Sequence, residues 1–460
     1  MGAVDLLFEA LQLVLRETSL FAAVGFILLG IGDLAIDAAW LMLAVRRGFR
    51  EWGGSQIAAD LPPPARAGRF AVFVPAWDEA EVIGGMLGHT LRAFGDRNYV
   101  VYVGCYPNDP ATIEAVRVIA DPRVRVVVGP SAGPTSKADC LNRLWEQMIA
   151  DEAADGRGFK AIVLHDAEDI VHSAELPLFD SLIEDFDLVQ LPVMPLVDRS
   201  SRWIAGHYLD EFAEAHGKEM VVRAALGAGL PSAGVGCAIN RDALAAIAVD
   251  RGMPFDADSL TEDYELGLRL RAAGRSATFV RLPAAKGRGP VSTKAYFPAT
   301  LNEAVIQKSR WVAGIALSGW DRLGWSGGLA ERWMRLRDRR SVIAAFLVAA
   351  AYLGSICGGL VLAISLATGR EMQPFSEPFI LLAAFATGLL LWRLLVRFLF
   401  VARGYGWREA LRSPLRAFLG NAIAILAAIR ALGRYQARRR TGHSIWDKTA
   451  HAFPAQVPAE

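Results

Sequence analysis

Long apolar runs occupy the two ends of the chain. Residues 341–368, SVIAAFLVAAAYLGSICGGLVLAISLAT, contain no charged side chain, and an uninterrupted run of more than about 18 residues is typical of a membrane-spanning helix. A second run covers residues 378–402. A third covers residues 20–44 and carries Asp33 and Asp37, which share one helix face. The pattern predicts three spans, with both aspartates facing neighbouring helices near an interface; a polar path through the membrane is the alternative.

The flanks of these runs predict an orientation. Basic residues adjoin the runs on the side of the large middle segment, so the positive-inside rule predicts that this segment and the C-terminus lie in the cytoplasm. Residues 4–17 are predicted to form a separate amphipathic helix at the interface rather than a cleavable signal peptide. Residues 415–433 are apolar with basic residues on both sides, which favours an interfacial or re-entrant helix over a fourth span.

The middle of the chain has a different pattern. After a proline-rich boundary at residues 62–64, short apolar runs at 69–76, 99–104, 124–128 and 160–165 alternate with helical stretches near 110–120 and 136–150. Strands that alternate with helices are typical of a parallel, doubly wound α/β sheet, in which ligands bind beyond the carboxyl ends of the strands. We therefore expect three parts: residues 1–50, a soluble domain at 51–330, and a second membrane part at 331–460.

Composition narrows the classes of function. The 460 residues include 49 Lys and Arg against 48 Asp and Glu, a net charge of +1, which argues against nucleic-acid binding by bulk charge. Hydrophobic residues make up 53% and the mean hydropathy is +0.28, which excludes wholesale disorder and fits partial residence in lipid. The four cysteines stand far apart, so neither a zinc site nor a disulfide scaffold is expected.

The sharpest chemical signal is an acidic cluster where the fourth strand ends. Asp166 and Glu168 are two residues apart, so in extended chain both carboxylates would point the same way. Oxygen ligands at that spacing suit Mg²⁺ or Mn²⁺ bound to a diphosphate. A solvated loop is the ordinary explanation for such a cluster on its own.

Two later motifs change that balance. Thr261-Glu262-Asp263 precedes an amphipathic helix, where Thr261 could simply cap the helix and Asp263 could act as a general base. Gln307, Arg310 and Trp311 share one helix face, which suits phosphate and sugar recognition as well as a headgroup-level interface helix.

Taken in order, the motifs resemble the family 2 glycosyltransferases with a GT-A fold, in their membrane-embedded processive form, over about residues 65–330. The resemblance implies an α/β fold class: a Rossmann-like, mostly parallel GT-A domain in the cytoplasm, with about three transmembrane helices and interfacial helices. It also implies roles for individual residues. The expected nucleotide-binding set is Pro75, Ala76, Trp77, Glu79, Asn108, Lys137 and Asp166; the metal ligands are Asp166 and Glu168; the catalytic pair is Asp263 with Glu262; the diphosphate and acceptor residues are Gln307, Arg310 and Trp311. Cys105 stands where a base-reading aspartate is usual, so Asn108 or Asp109 is expected to substitute.

The resemblance implies an inverting, Mg²⁺- or Mn²⁺-dependent enzyme of the bacterial inner membrane. We expect it to move a sugar from a nucleotide-sugar, such as a UDP-N-acetylhexosamine, onto a growing glycan coupled to export. Its partners would be the donor, a glycan or lipid acceptor, membrane lipid, and an export partner or a second copy, with no nucleic acid. The alternatives are transfer of a single sugar to a polyprenyl phosphate or other lipid, and a membrane receptor that binds a glycan or nucleotide without turnover.

Overall fold

The structure, a computed structural model, describes residues 3–50, 56–249, 252–441, 451–455 and 457. The strands are β1 Phe70–Pro75, β2 Tyr99–Cys105, β3 Val124–Val128, β4 Ala161–Leu164, β5 Leu188–Gln190, β6 Val193–Pro195, β7 Cys237–Asn240, β8 Ala277–Phe279 and β9 Thr293–Ala295. The helices are α1 Ala3–Arg50, α2 Ile83–Phe94, α3 Pro110–Arg117, α4 Lys137–Asp155, α5 Glu175–Leu182, α6 Ile204–Glu214, α7 Met220–Ala225, α8 Arg241–Val249, α9 Glu262–Ala272, α10 Leu301–Trp311, α11 Gly319–Leu323, α12 Leu329–Arg339, α13 Ser341–Thr368, α14 Glu377–Tyr405, α15 Trp407–Ala410 and α16 Ser413–Thr441. π-Helical segments, Ala215–Glu219 and Val312–Ser318, continue α6 and α10.

The central sheet confirms the predicted fold class. Its seven strands lie in the order β3-β2-β1-β4-β7-β5-β8. Strands β1 to β4 are mutually parallel and β5 is parallel to β8, whereas β7 runs antiparallel to both β4 and β5. The four strands predicted from the alternation all exist within a residue or so of their expected bounds. They are recognisable because strands buried on both faces read as continuous apolar runs.

Helices cover both faces of this sheet. On one face Val72 and Val74 of β1 pack with Met86 and Leu87 of α2, all fully buried. On the other face Phe73 of β1 packs with helix α4 and with the surrounding apolar cluster. This sandwich leaves the carboxyl ends of the strands open for ligands, as expected for such sheets.

Four helices are long and apolar enough to cross a membrane by length and composition: Ala3–Gly48 of α1, α13, α14, and Ser413–Ala437 of α16. The prediction of a separate amphipathic helix over residues 4–17 is wrong, because these residues are the first turns of the continuous helix α1. Asp5 pairs with Arg370 and Arg16 donates to the carbonyl of Pro374, so this part of α1 contacts the loop between α13 and α14. These contacts with the loop explain why residues 4–17 continue the long helix α1 instead of forming a separate helix.

Asp33 and Asp37 face neighbouring elements, as expected. Asp33 pairs with Arg340 at 2.5 Å and with Arg337 at 3.0 Å. Asp37 pairs with Lys218 of the α/β domain and accepts from the indole N–H of Trp392 on α14. Buried charges persist when they are paired in this way. The two aspartates therefore join α1 to the domain and to the other long helices.

Candidate active site

The loop after β4 carries the acidic cluster on a buried ionic frame. His165 is fully buried; its Nδ1 lies 2.9 Å from Asp169 Oδ2 and its Nε2 lies 2.6 Å from Glu175 Oε1. Burial lowers the pKa of His165, but the two carboxylates outweigh it and raise that pKa to about 10. Asp169 Oδ2 also accepts from the backbone N–H of Asp166. These contacts hold the loop in a turn. Asp166 and Glu168 therefore extend from a turn, and the prediction that they lie in extended chain is wrong.

Lys137 contacts the acidic loop from the start of α4. Ser136 is the N-cap of α4, and its side chain accepts from the backbone N–H of Asp139. Lys137 Nζ lies 2.6 Å from Asp166 Oδ1. Burial opposes the charge of Lys137, but Asp166, Glu262 and Asp263 raise its pKa above the usual value. A permanently charged ammonium therefore faces three carboxyl groups.

Glu262 and Asp263 form the first turn of α9. Asp263 Oδ1 accepts from the backbone N–H of Tyr264 at 2.7 Å. Gly234 has φ +74°, and a Cβ built on it would lie 2.6 Å from Asp263 Oδ2. Burial raises the pKa of Glu262 to about 7, with the neighbouring Asp263 as the next cause, and burial likewise raises the pKa of Asp263. A carboxyl group with a raised pKa in a cleft is suited to general-base chemistry.

Thr261 stands at the N-cap position of α9, yet its side chain makes no cap hydrogen bond. Within the described part of the chain its buried Oγ1 has no hydrogen-bond partner. Gly314, in the π-helical segment after α10, packs directly on it: a Cβ there would lie 2.5 Å from the Thr261 side chain. Capping therefore does not account for this threonine.

Gln307, Arg310 and Trp311 lie on α10 and line the same cavity as Asp263. The buried Gln307 Oε1 has no hydrogen-bond partner among the described residues. Trp311 meets Tyr208 edge-on with ring centroids 6.1 Å apart. An unpaired buried amide oxygen costs free energy, which suggests that a ligand completes this site.

The expected nucleoside end lies where β1 and β2 leave the sheet. Pro75 ends β1, Ala76 is fully buried, and Trp77 packs edge-on to Tyr106 at 5.3 Å. Asn108 donates to the carbonyl of Gly133 and accepts from its N–H. The Asn108 amide thus holds a neighbouring loop, and base recognition by Asn108 stays a prediction.

Sequence reasoning missed His451. Its Nδ1 lies 2.8 Å from Glu79 Oε1 and 3.3 Å from Glu168 Oε2. Burial lowers the pKa of His451, but Glu168 and Glu79 outweigh it and raise that pKa to about 9. Phe453 packs this segment against α2, since a Cβ built on Gly85 of α2 would lie 2.7 Å from the Phe453 ring. The only sequence signal was an aromatic residue and a proline after the basic tail.

These residues surround one cavity of about 290 Å³. Its walls include residues from the acidic loop, the start of α9, α10 and the C-terminal segment: Lys137, Asp166, Glu168, Glu262, Asp263, Gln307, Arg310, Trp311 and His451. The donor set fits a divalent cation. Ligand atoms of Glu79, Glu168 and His451 lie within 4.8 Å of one another, and the buried Glu168 Oε2 has no hydrogen-bond partner among the described residues. Burial raises the pKa of Glu168 to about 8, although His451 lowers it.

A nucleotide-sized cavity at the strand ends of a GT-A-like sheet, with these acidic, basic and aromatic groups, defines a glycosyltransferase class of fold and site. Residues 66–314 match the glycosyltransferase like family 2 model, and the chain belongs to that family. The chain is similar to bacteriophage adsorption protein B of Escherichia coli strain K12, with 34% identity over 472 residues, 96% of this chain and 62% of that protein. Bacteriophage N4 adsorption protein B of Escherichia coli O157:H7 matches equally, with 34% identity.

The chain spans 62% of the length of these relatives. Among solved structures it resembles a mannosyltransferase from Pyrobaculum calidifontis, described in complex with GDP-Man and Mn²⁺. That match has a TM-score of 0.51 and 18% identity, and it covers 89% of this chain and 99% of the other. At this identity the likeness concerns the fold.

Proposed function

We propose that this chain is an inverting glycosyltransferase that moves a sugar from a nucleotide-sugar onto a growing glycan at the cytoplasmic face of the bacterial inner membrane. The observation that carries the proposal is one cavity lined by the Asp263 carboxyl, by the Lys137–Asp166 pair and by Arg310 with Trp311. A base, a site for diphosphate charge and a sugar-stacking surface are the parts that glycosyl transfer needs.

The donor's diphosphate would bind between Lys137 and Arg310. Lys137 is paired with Asp166 at 2.6 Å before any donor binds, so the ammonium is already held at the site. Arg310 presents a planar guanidinium that suits phosphate oxygens. Both cations stabilise the negative charge that develops on the leaving nucleoside diphosphate. The nucleoside would lie towards Trp77 and Glu79.

The ligand atoms of Glu79, Glu168 and His451 lie close enough together to hold a divalent cation, and Asp166, the other ligand expected from the sequence, is paired with Lys137. Mg²⁺ or Mn²⁺ bound there would supply positive charge against the diphosphate. Glu168 Oε2, which lacks a hydrogen-bond partner within the described residues, supports this use of the site. The mannosyltransferase of similar fold is described with Mn²⁺.

Asp263 would take the proton of the attacking acceptor hydroxyl. Its Oδ1 is oriented by the backbone N–H of Tyr264, which leaves Oδ2 towards Gly234 and the cavity. One base and one direct displacement at the anomeric carbon invert the configuration, so no enzyme nucleophile is required. Trp311 would stack on the acceptor sugar.

The acceptor is the less constrained half of the proposal. We favour polymer extension because α16 packs against α10, which carries Arg310 and Trp311, so a long apolar helix lies beside the expected acceptor site. The relatives' name, an adsorption protein for a bacteriophage, suits an enzyme that builds a surface glycan; a UDP-amino sugar as its donor stays a prediction from the sequence. Single transfer to a polyprenyl phosphate, and binding without turnover, are the alternatives that an experiment must separate.

The test is nucleoside diphosphate release by the protein in nanodiscs, across UDP- and GDP-sugars with Mg²⁺ or Mn²⁺. We expect release with one donor, its loss in Asp263→Asn, and nucleotide affinity within a few-fold of wild type in that variant. Asp242→Asn is the matched control, because this carboxylate is exposed on α8. A high-mass product indicates a polymer and one sugar per lipid indicates single transfer.

Full activity of Asp263→Asn would contradict the assignment of the base. Nucleotide binding with no release from any donor, in membranes that retain native lipid and glycan, would favour the binding-only alternative.

A further inference from the structure

One part of the cavity, here called the chamber, is lined by residues that contact one another and to which the proposed mechanism gives no role. We define this chamber by Phe212, His216, Met220, Phe297 and Ile315, all of which line the cavity. Its walls are apolar except for His216. Ligand sites typically combine apolar walls with a few well-placed polar groups that fix orientation.

His216 is held in a single tautomer. Its Nδ1 accepts a hydrogen bond of 2.8 Å from the backbone N–H of Val193, the first residue of β6. Because a backbone N–H can only donate, Nδ1 must carry the lone pair and Nε2 must carry the proton. Burial lowers the pKa of His216 to about 4, which keeps the ring neutral. The ring therefore presents one N–H donor.

That donor has no partner among the described residues, although the side chain is 9% exposed. The ring is flanked by Phe212, with centroids 5.1 Å apart, and by Phe279 at 5.5 Å. Neither aromatic ring offers a conventional acceptor. Because the Nε2–H lies at the wall of the cavity, a ligand oxygen in the cavity can accept its hydrogen bond.

The backbone that carries His216 is held by the membrane helices. His216 lies in the π-helical segment Ala215–Glu219, and the carbonyl of Gly217 accepts from the indole N–H of Trp40 at 3.0 Å. A Cβ on Gly217 would lie 2.6 Å from the Phe400 ring. Gly217 thus contacts α1 and α14 while His216 contacts the cavity. Ile315, on the opposite wall, belongs to the second π-helical segment, and such segments occur frequently at functional sites.

We propose that His216 is an acceptor-binding residue whose Nε2–H donates to an oxygen of the terminal acceptor sugar. The oxygen is a ring hydroxyl or an acetamido carbonyl, and the aromatic walls pack on the apolar face of the sugar. The donor nucleotide is expected at the other end of the cavity, near Lys137 and Glu79. The inference rests on the proposed function for the direction of transfer, but saccharide binding in the chamber can be measured without turnover.

The experiment uses two substitutions that separate the acceptor role of the imidazole Nδ1 from the donor role of its Nε2. His216→Asn keeps an acceptor near the Nδ1 position for Val193 and removes the Nε2 donor, whereas His216→Gln restores a donor near the Nε2 position. Asp242→Asn is the control, since this exposed carboxylate lies on α8, outside the cavity. Binding of glucose, mannose, N-acetylglucosamine and N-acetylmannosamine is measured by saturation-transfer NMR on the nanodisc protein.

We expect wild type, Asp242→Asn and His216→Gln to bind the preferred probe similarly, and His216→Asn to bind it about tenfold more weakly, the effect of one lost neutral hydrogen bond. Nucleotide affinity should be unchanged in all four, which also shows that they are folded. A preference for the acetamido sugars identifies the carbonyl, and equal binding of the hexoses identifies a hydroxyl.

No saturation transfer to any probe with wild type would overturn the saccharide assignment, and equal losses in the Asn and Gln variants would show a structural role instead. If an active donor is found, an increased donor KM in His216→Asn would move the residue to the donor side. Saccharide binding without any donor turnover would leave the chamber assigned and contradict only the proposed function.

Discussion

His451 Nδ1 lies 2.8 Å from Glu79 Oε1, although the two residues are 372 positions apart in the chain. The contact brings the C-terminal segment to the carboxylate at the expected nucleoside end and, 3.3 Å away, to Glu168 at the expected cation site. The C-terminal segment therefore completes the wall of the cavity, and we expect its removal to weaken the binding of every ligand there.

We predict that His451→Ala weakens Mn²⁺ binding by at least about tenfold, since it removes an imidazole ligand from a small oxygen and nitrogen set. Phe453→Ala keeps the imidazole but removes the ring that packs against Gly85 and His89, so we expect a smaller loss. Mn²⁺ affinity is measured by electron paramagnetic resonance without nucleotide. Wild-type affinity in His451→Ala would exclude this residue from the cation site.

A second prediction concerns the close approach of Gly234 to Asp263. Gly234→Ala would place a methyl group 2.6 Å from Asp263 Oδ2, so the carboxylate must move. Misplacement of a catalytic group by about 1 Å costs on the order of 100-fold in rate, and we expect kcat to fall by that much with nucleotide affinity retained.

Gly274→Ala is the matched control for that substitution. Gly274 has φ +77°, similar to the +74° of Gly234, but nothing lies within 4 Å of its built Cβ. Both variants carry the same backbone strain of about 1 kcal/mol or more. If the two lost activity equally, strain alone would explain the effect and the contact with Asp263 would not.

The third prediction is a pH dependence with a defined sign. A carboxylate base acts only when deprotonated, so activity rises with pH through its pKa. Burial raises the pKa of Asp263, and burial with the adjacent carboxyl raises the pKa of Glu262 to about 7. The acid limb of kcat/KM should therefore lie well above the usual range for aspartate, which is near 4.

Glu262→Gln tests the cause of that limb. Repulsion between neighbouring carboxylates is reciprocal, so removal of the Glu262 charge should move the acid limb to lower pH. Glu262→Asp keeps the charge and is the control. A limb that moves to higher pH in Glu262→Gln would contradict the coupling.

The sequence predicts those parts of the fold and site that are coded locally. Strands β1 to β4 are apolar runs, Asp166 follows a strand, Asp263 lies in the first turn of α9, and Arg310 lies in the last turn of α10. His451 was missed because its position depends on packing of Phe453 against α2, far away in sequence. His216 was missed because a lone histidine on an amphipathic helix gives no signal until the π-helical segment and Val193 fix its ring.

The composition of helix α16 and the contacts of its two ends lead to different predictions of how it lies in the membrane. By length and composition it could cross a membrane, whereas its basic flanks predict an interfacial helix. At its start the fully buried Arg416 pairs with Asp210 of α6 at 2.6 Å, and near its end Tyr435 donates to Asp321 of α11. Both partners belong to the part of the chain between β5 and α12, and both precede the long helices α13 and α14.

We therefore predict that both flanks of α16 lie on the same side of the membrane as the α/β domain. Leu411→Cys before the helix and Arg439→Cys near its end, introduced one at a time, should both react with a membrane-impermeant maleimide only in inside-out vesicles. The four native cysteines are buried, so the background should be low. Exposed apolar residues at Leu415, Phe418, Leu426 and Ile429 recur at helical spacing and would face lipid, while Ile423 and Ala427 are fully buried. Labelling of the two cysteines from opposite sides would instead make α16 a fourth span, and the Arg416–Asp210 pair would then mark its cytoplasmic end.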